Sequence, residues 1–109
     1  MTYDENLSLR MREMLANVSG LEEKKMFGGV GFLVNGNMAC GVHKDSLIVR
    51  VGPEKYQAAL DKAHARVFDM TGRPMTGWVM VAAPGFASDK NLADWVQQGL
   101  EYTLSLPPK

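Results

Sequence analysis

From Lys24 to Val51 apolar and small residues run in short blocks broken by turn residues, a pattern that predicts strands. Lys24–Val34 and Asn37–His43 read as two strands joined at Asn35-Gly36, and Asn-Gly between such runs is the strongest short-range hairpin signal. Leu47–Val51 follows, with Lys44-Asp45 as the intervening turn, so a three-stranded meander forms the centre.

Side chains alternate between the two sides of a strand, which allows the faces of the meander to be counted. A two-residue turn at Lys44-Asp45 sets Val42 against Leu47, Cys40 against Val49 and Met38 against Val51. Val30 and Phe32 join this set only if the first turn has an odd loop or a bulge intervenes, and the odd loop is preferred. One face then holds Val30, Phe32, Met38, Cys40, Val42, Leu47, Val49 and Val51 and belongs to the core. The other holds Gly29, Gly31, Leu33, Ala39, Gly41, His43, Ile48 and Arg50 and is shallow and mixed.

The flanking segments carry helical periodicity. Residues 4–18 place Leu7, Met11, Met14, Leu15 and Val18 on one stripe, with Asp4 or Asn6 as cap and Ser19-Gly20 as stop. Glu22–Lys25 reads as a charged connector. Pro53–His64 predicts a second helix burying Tyr56, Ala59, Leu60 and Ala63, proline being suited to a first helical turn. Arg66–Met70 is a weak strand, 71–77 a turn-rich loop, and Trp78–Ala82 a further strand. Asp89–Ser105 is the last helix, capped by Ser88 or Asp89, with Leu92, Trp95, Val96, Gly99, Leu100, Thr103 and Leu104 as its stripe. Gly99 in mid-helix costs about 1 kcal/mol relative to Ala, which a close neighbour would explain. The expected fold class is α+β, an antiparallel sheet in the order α-β-β-β-α-β-β-α with helices largely on one face.

Length bounds this to one domain: 109 residues can fold without staples. A single cysteine permits no internal disulfide, and no apolar run approaches the roughly 20 residues of a membrane span. The acidic start Met1–Asn6 lacks the pattern of a secretory signal, so the expected location is cytoplasmic. Twelve basic and twelve acidic residues give a formal net charge of zero. Nucleic-acid affinity rests mainly on phosphate neutralisation, so direct binding to nucleic acid is not expected of this domain alone.

Candidate chemistry is sparse. Gly28-Gly29-Val30-Gly31 opens a strand and not a helix, unlike a dinucleotide fingerprint. Cys40 and His43 fall on opposite faces, and His64 lies in a distant helix without a cysteine companion, so no metal or other cofactor is expected. Lys25, His43 and Arg50 could edge a glycine-floored anion site. The plainer alternative leaves His43 in solvent and pairs Arg50 with a surface carboxylate. Of eight methionines, Met11, Met14, Met38 and Met80 fit core positions, while Met70 and Met75 flank the 71–77 loop and either anchor it, the preferred role, or mark a partner surface.

Lys25-Met26-Phe27-Gly28-Gly29-Val30-Gly31-Phe32, with Asn35-Gly36-Asn37-Met38, resembles the N-terminal domain of the TfoX/Sxy competence regulators. Thr71–Val79 and Trp95–Lys109 look like single-domain members of that family, so the resemblance covers nearly the whole chain, 1–109. It implies an α+β domain and a part in positive control of DNA-uptake genes, which full-length members exert with the cyclic-AMP receptor protein. Those regulators have a second, C-terminal domain without counterpart in this chain, and the resemblance supplies no catalytic residue.

The resulting expectation is a non-catalytic protein-interaction and regulatory domain, not an enzyme, with a protein partner or a second copy of the chain. Its surface would comprise Lys25, Phe27, Gly29, Gly31, Gly41, His43 and Arg50, the glycines admitting another backbone. An arginine at Gly41 would then break the contact without unfolding the chain. The alternative is a small-ligand or anion-binding module on the glycine-floored face.

Overall fold

A computed structural model describes residues 3–26, 28–69 and 72–108. In chain order these form α1 (Glu5–Met14), β1 (Leu21–Met26), β2 (Gly29–Val34), β3 (Asn37–His43), β4 (Ser46–Arg50), α2 (Tyr56–Leu60), β5 (Ala65–Val67), β6 (Trp78–Val81) and α3 (Asp89–Leu104), with a short 3-10 turn at Ala83–Phe86. The six strands make one antiparallel sheet in the order β1-β2-β3-β4-β6-β5. The α+β class and the alternation of strands and helices agree with the sequence. One element is added, because the charged segment 22–25 lies within β1 and pairs along its length with β2.

The central hairpin solves its parity with a bulge. Asn35 (φ 53°) and Gly36 (φ 86°) form a tight two-residue turn, both in the left-handed conformation that such turns demand. Val34 therefore opposes Asn37 and Leu33 opposes Met38, but Phe32 opposes Cys40, so Ala39 is the extra residue on β3. Beyond the bulge Val30 faces Val42, Cys40 faces Val49, and Val42 faces Leu47. The apolar face is as counted, with two corrections, and the bulge takes the place of the expected odd loop. Ala39, expected on the other face, is buried in the main core. The bulge turns Met38 to the other face, beside Leu33, while Asn37 falls on the core side and donates from its amide to the Pro107 carbonyl (3.0 Å).

All three helices pack on that apolar face. Leu7 and Met11 of α1, Ala59 of α2, and Leu92, Trp95 and Val96 of α3 share one cluster with Val30, Phe32, Cys40, Val42, Leu47 and Val49. The side chain of Asp4 caps α1, accepting from the Leu7 N–H at 3.0 Å, and Ser88 caps α3 by accepting from the Asn91 N–H. Arg10 staples α1 to the start of α3, donating to the Phe86 carbonyl at 3.1 Å and to Asp89 at 3.0 Å. Two helices are shorter than their periodicity suggested. α1 ends at Met14, and α2 is one five-residue stretch flanked by turns, which leaves Ala63 exposed. Leu104 ends α3 in solvent and does not join its buried stripe.

Gly99 has the close neighbour its position implied. A Cβ there would collide with the Ala39 carbonyl oxygen at the β3 bulge and come within 3.4 Å of Val49 Cγ1. Gly99→Ala ordinarily gains about 1 kcal/mol in helix propensity. Here it is expected to lose stability, because the backbone it meets is not a flexible side chain, and overpacking costs roughly 1–3 kcal/mol. Chemical denaturation of the variant, read as a lower midpoint, checks the sign.

Candidate functional site

The opposite face of the sheet has no described helix over it. The register places Gly29, Gly31, Gly41, His43, Ile48 and Arg50 together there, with Leu33 and Met38 from the hairpin and Met80 and Trp78 from β6. Lys25 opposes Val30 and so lies on the helix side, while Lys24 opposes Gly31. The set Lys25–His43–Arg50 is therefore split by the sheet itself. His43 and Arg50 share a face but lie far apart, since His43 opposes Ser46 and Arg50 is four residues beyond, about 13 Å along the strand. Phe27 lies outside the described residues.

The strand glycines are buried, and the backbone they admit is their own sheet's. A Cβ on Gly29 would strike the Val42 carbonyl oxygen. One on Gly41 would sit 2.5 Å from the Val30 carbonyl oxygen and 2.9 Å from Met38 Cε. These contacts assign the glycines to close strand pairing, the ordinary reason for glycine inside a sheet. An arginine at Gly41 would thus disturb the fold, contrary to expectation.

The β4–β6 end of this face is occupied by a second, smaller cluster. Ile48, Phe68 and Met80 are buried together, with Met75 and Trp78 packed against them, so the segment after β5 folds back over the β4–β6 end. Met75 anchors that loop as expected; Met70 lies outside the described residues. Met80 is a core methionine of this cluster and not of the main one. Its sulfur accepts from the Arg66 guanidinium at 3.3 and 3.4 Å. Arg50 is not paired with a carboxylate among the described residues. Its guanidinium stacks 5.4 Å from the Trp78 ring and 5.3 Å from the Tyr102 ring, a cation–π arrangement that joins the sheet to α3. No periodicity rule reveals this stack, because the three residues come from separate elements.

His43 is half-buried, and its Nδ1 finds no hydrogen-bond partner among the described residues. Cys40 is wholly buried in the main core, and burial pushes its thiol up to about 12. Such a thiol stays protonated near neutral pH and offers no thiolate for attack or metal binding. Among the described residues no group of three or more His, Cys, Asp or Glu is placed to hold a metal ion. No described helix is long and apolar enough to cross a membrane.

Two open clefts lie away from the glycine strands. One, of about 450 Å³, runs along Gly52, Lys55, Glu101 and Tyr102 and is crossed by a Lys55–Glu101 ion pair at 3.5 Å. The other, of about 290 Å³, gathers Lys62, His64, Asp94 and Trp95, with the Lys62 ammonium 5.0 Å from the indole. His64 has φ 70° there, an uncommon conformation for a residue with a side chain.

An antiparallel sheet with its helices packed on one side, and with Leu33, Met38 and His43 half-buried on the other, defines an α+β domain. The family profile described as the TfoX N-terminal domain matches residues 13–102. The chain belongs to that family. A comparison with curated proteins finds no match.

Two outcomes follow from this geometry. Gly41→Ala is expected to lower stability by roughly 1–3 kcal/mol, because the carbonyl of Val30 cannot withdraw without breaking the ladder; thermal unfolding reads the loss. Cys40 in the native state should resist a thiol reagent until the protein opens, so labelling should follow unfolding and accelerate in denaturant. The folded thiol holds its proton between the ordinary pKa of 9.0 and about 12 while the unfolded thiol releases it, so stability falls as pH rises through that window. Cys40→Ala should flatten that part of the pH–stability curve.

Proposed function

We propose that this chain is a non-catalytic interaction domain that serves transcriptional regulation of the TfoX type by contacting proteins, not nucleic acid or a small ligand. The observation that carries the reading is the one-sided packing: three helices share one face of the sheet, and Leu33, Met38 and His43 stand half-exposed on the other. Methionine and leucine on a shallow surface suit adaptable protein contact. Family membership supports the regulatory setting. The protonated, buried Cys40 speaks against cysteine-based catalysis, and the separation of Lys25, His43 and Arg50 speaks against an anion site built from them.

The test compares the wild-type chain with Leu33→Lys. Cross-linking in cells that express the chain at native level should give a defined protein adduct, and Leu33→Lys should remove it with little change in the unfolding midpoint. A chain without adducts whose midpoint rises markedly with a nucleotide or metabolite would overturn the proposal, since a ligand at 100 times its dissociation constant stabilises by about 2.7 kcal/mol.

A further inference from the structure

Resting on the reading of this chain as an interaction domain, we infer that the free edge of β1 pairs antiparallel with the same edge of a second copy, making one continuous twelve-stranded sheet. Among the described residues β1 ends the sheet, with β2 as its only strand neighbour. Its register with β2 continues one step to Gly20, whose carbonyl accepts from the Asn35 N–H at 3.1 Å. Hydrogen-bonded and open pairs alternate along an antiparallel ladder. The even residues of β1 thus bond inward to β2, and the N–H and C=O groups of Leu21, Glu23 and Lys25 point outward. Among the described residues no backbone group of the chain meets them.

Two identical edges related by a two-fold axis normal to the sheet keep each face continuous, so a residue can oppose only a residue of the same face. An axis through Glu23 satisfies this and uses all three outward residues. Leu21 bonds the partner's Lys25, Glu23 bonds the partner's Glu23, and Lys25 bonds the partner's Leu21, with two hydrogen bonds in each pair. Glu22 then stands opposite the partner's Lys24, and Lys24 opposite the partner's Glu22, in the open pairs where side chains lie closest. The neighbouring register, with its axis at Lys24, sets Lys24 against Lys24 and engages only Glu23 and Lys25 of the outward residues.

The side chains fit a second copy and no generic edge. Glu22, Glu23, Lys24 and Lys25 are all exposed, and in this register Glu22 and Lys24, which lie 3.9 Å apart within one copy, each gain a second opposite charge from the partner. The one like-charged pair, Glu23 with the partner's Glu23, is already compensated within each copy. Arg12 donates to both Glu23 carboxylate oxygens at 2.8 Å. Charged residues on an edge usually deter pairing, but Glu22 and Lys24, an acid and a base on one face, match themselves across the two-fold axis. The chain's formal net charge of zero adds no long-range repulsion between copies. A six-residue edge is smaller than the interfaces of roughly 1,200–2,000 Å² that hold permanent dimers, so association depends on concentration.

Sedimentation equilibrium over a series reaching millimolar chain tests the pairing. The wild type should show a monomer–dimer equilibrium. Lys24→Glu, which sets Glu against Glu twice, should weaken it about tenfold or more. Glu22→Lys with Lys24→Glu together restores opposite charges and should restore the dimer. Lys25→Pro removes an outward N–H that the sheet itself does not use; it should abolish the dimer with the unfolding midpoint unchanged. A monomer at every concentration overturns the inference, as does a dimer indifferent to both Lys24→Glu and Lys25→Pro. A monomer that still forms the Leu33-dependent adduct overturns the edge pairing alone and leaves the interaction domain standing.

Discussion

An apolar sheet face persists from one strand to the next only if the turn between them keeps the parity of the side chains. In this chain the tight Asn35-Gly36 turn alone would send Val30 and Phe32 to one side and Cys40 and Val42 to the other. One extra residue on β3, Ala39, cancels the mismatch. The bulge also lays the Ala39 carbonyl against Gly99, so the irregularity that aligns the face seats the helix that covers it. Helix packing, the single-sided core and the uncovered second face all descend from that adjustment.

The uncovered face is not the bare glycine floor that counting suggests. Gly29 and Gly41 are used up by the approach of neighbouring strands, and Phe68 and Met75 roof the β4–β6 end. What remains accessible is the β1–β3 side, with Leu33, Met38 and His43, and the β1 edge beside it. An open sheet covered by helices on one side offers its other face and two edges, here β1 and β5. The face carries the soft side chains of Leu33 and Met38, and the β1 edge carries the charges of Glu22–Lys25.

Read as a sequence, the chain displays its hairpin, its caps at Asp4 and Ser88, the α3 stripe and the apolar face, since each rests on local periodicity or on a turn residue with one stereochemical use. It does not display β1. Leu21–Met26 has neither alternation nor β-branched residues, and its strand state comes from the ladder that β2 offers it. The same limit applies to the Arg50–Trp78–Tyr102 stack and to the placement of Lys25, which follow from pairings between elements.

Sequence alone thus determined the fold class, the family and the half of the sheet that is buried, because hydrophobic period and turn chemistry are properties of neighbours along the chain. Tertiary structure decided which residues share the remaining surface. A one-residue shift in a strand moves a side chain through the sheet, and only the paired strands show where that shift, at Ala39, occurs.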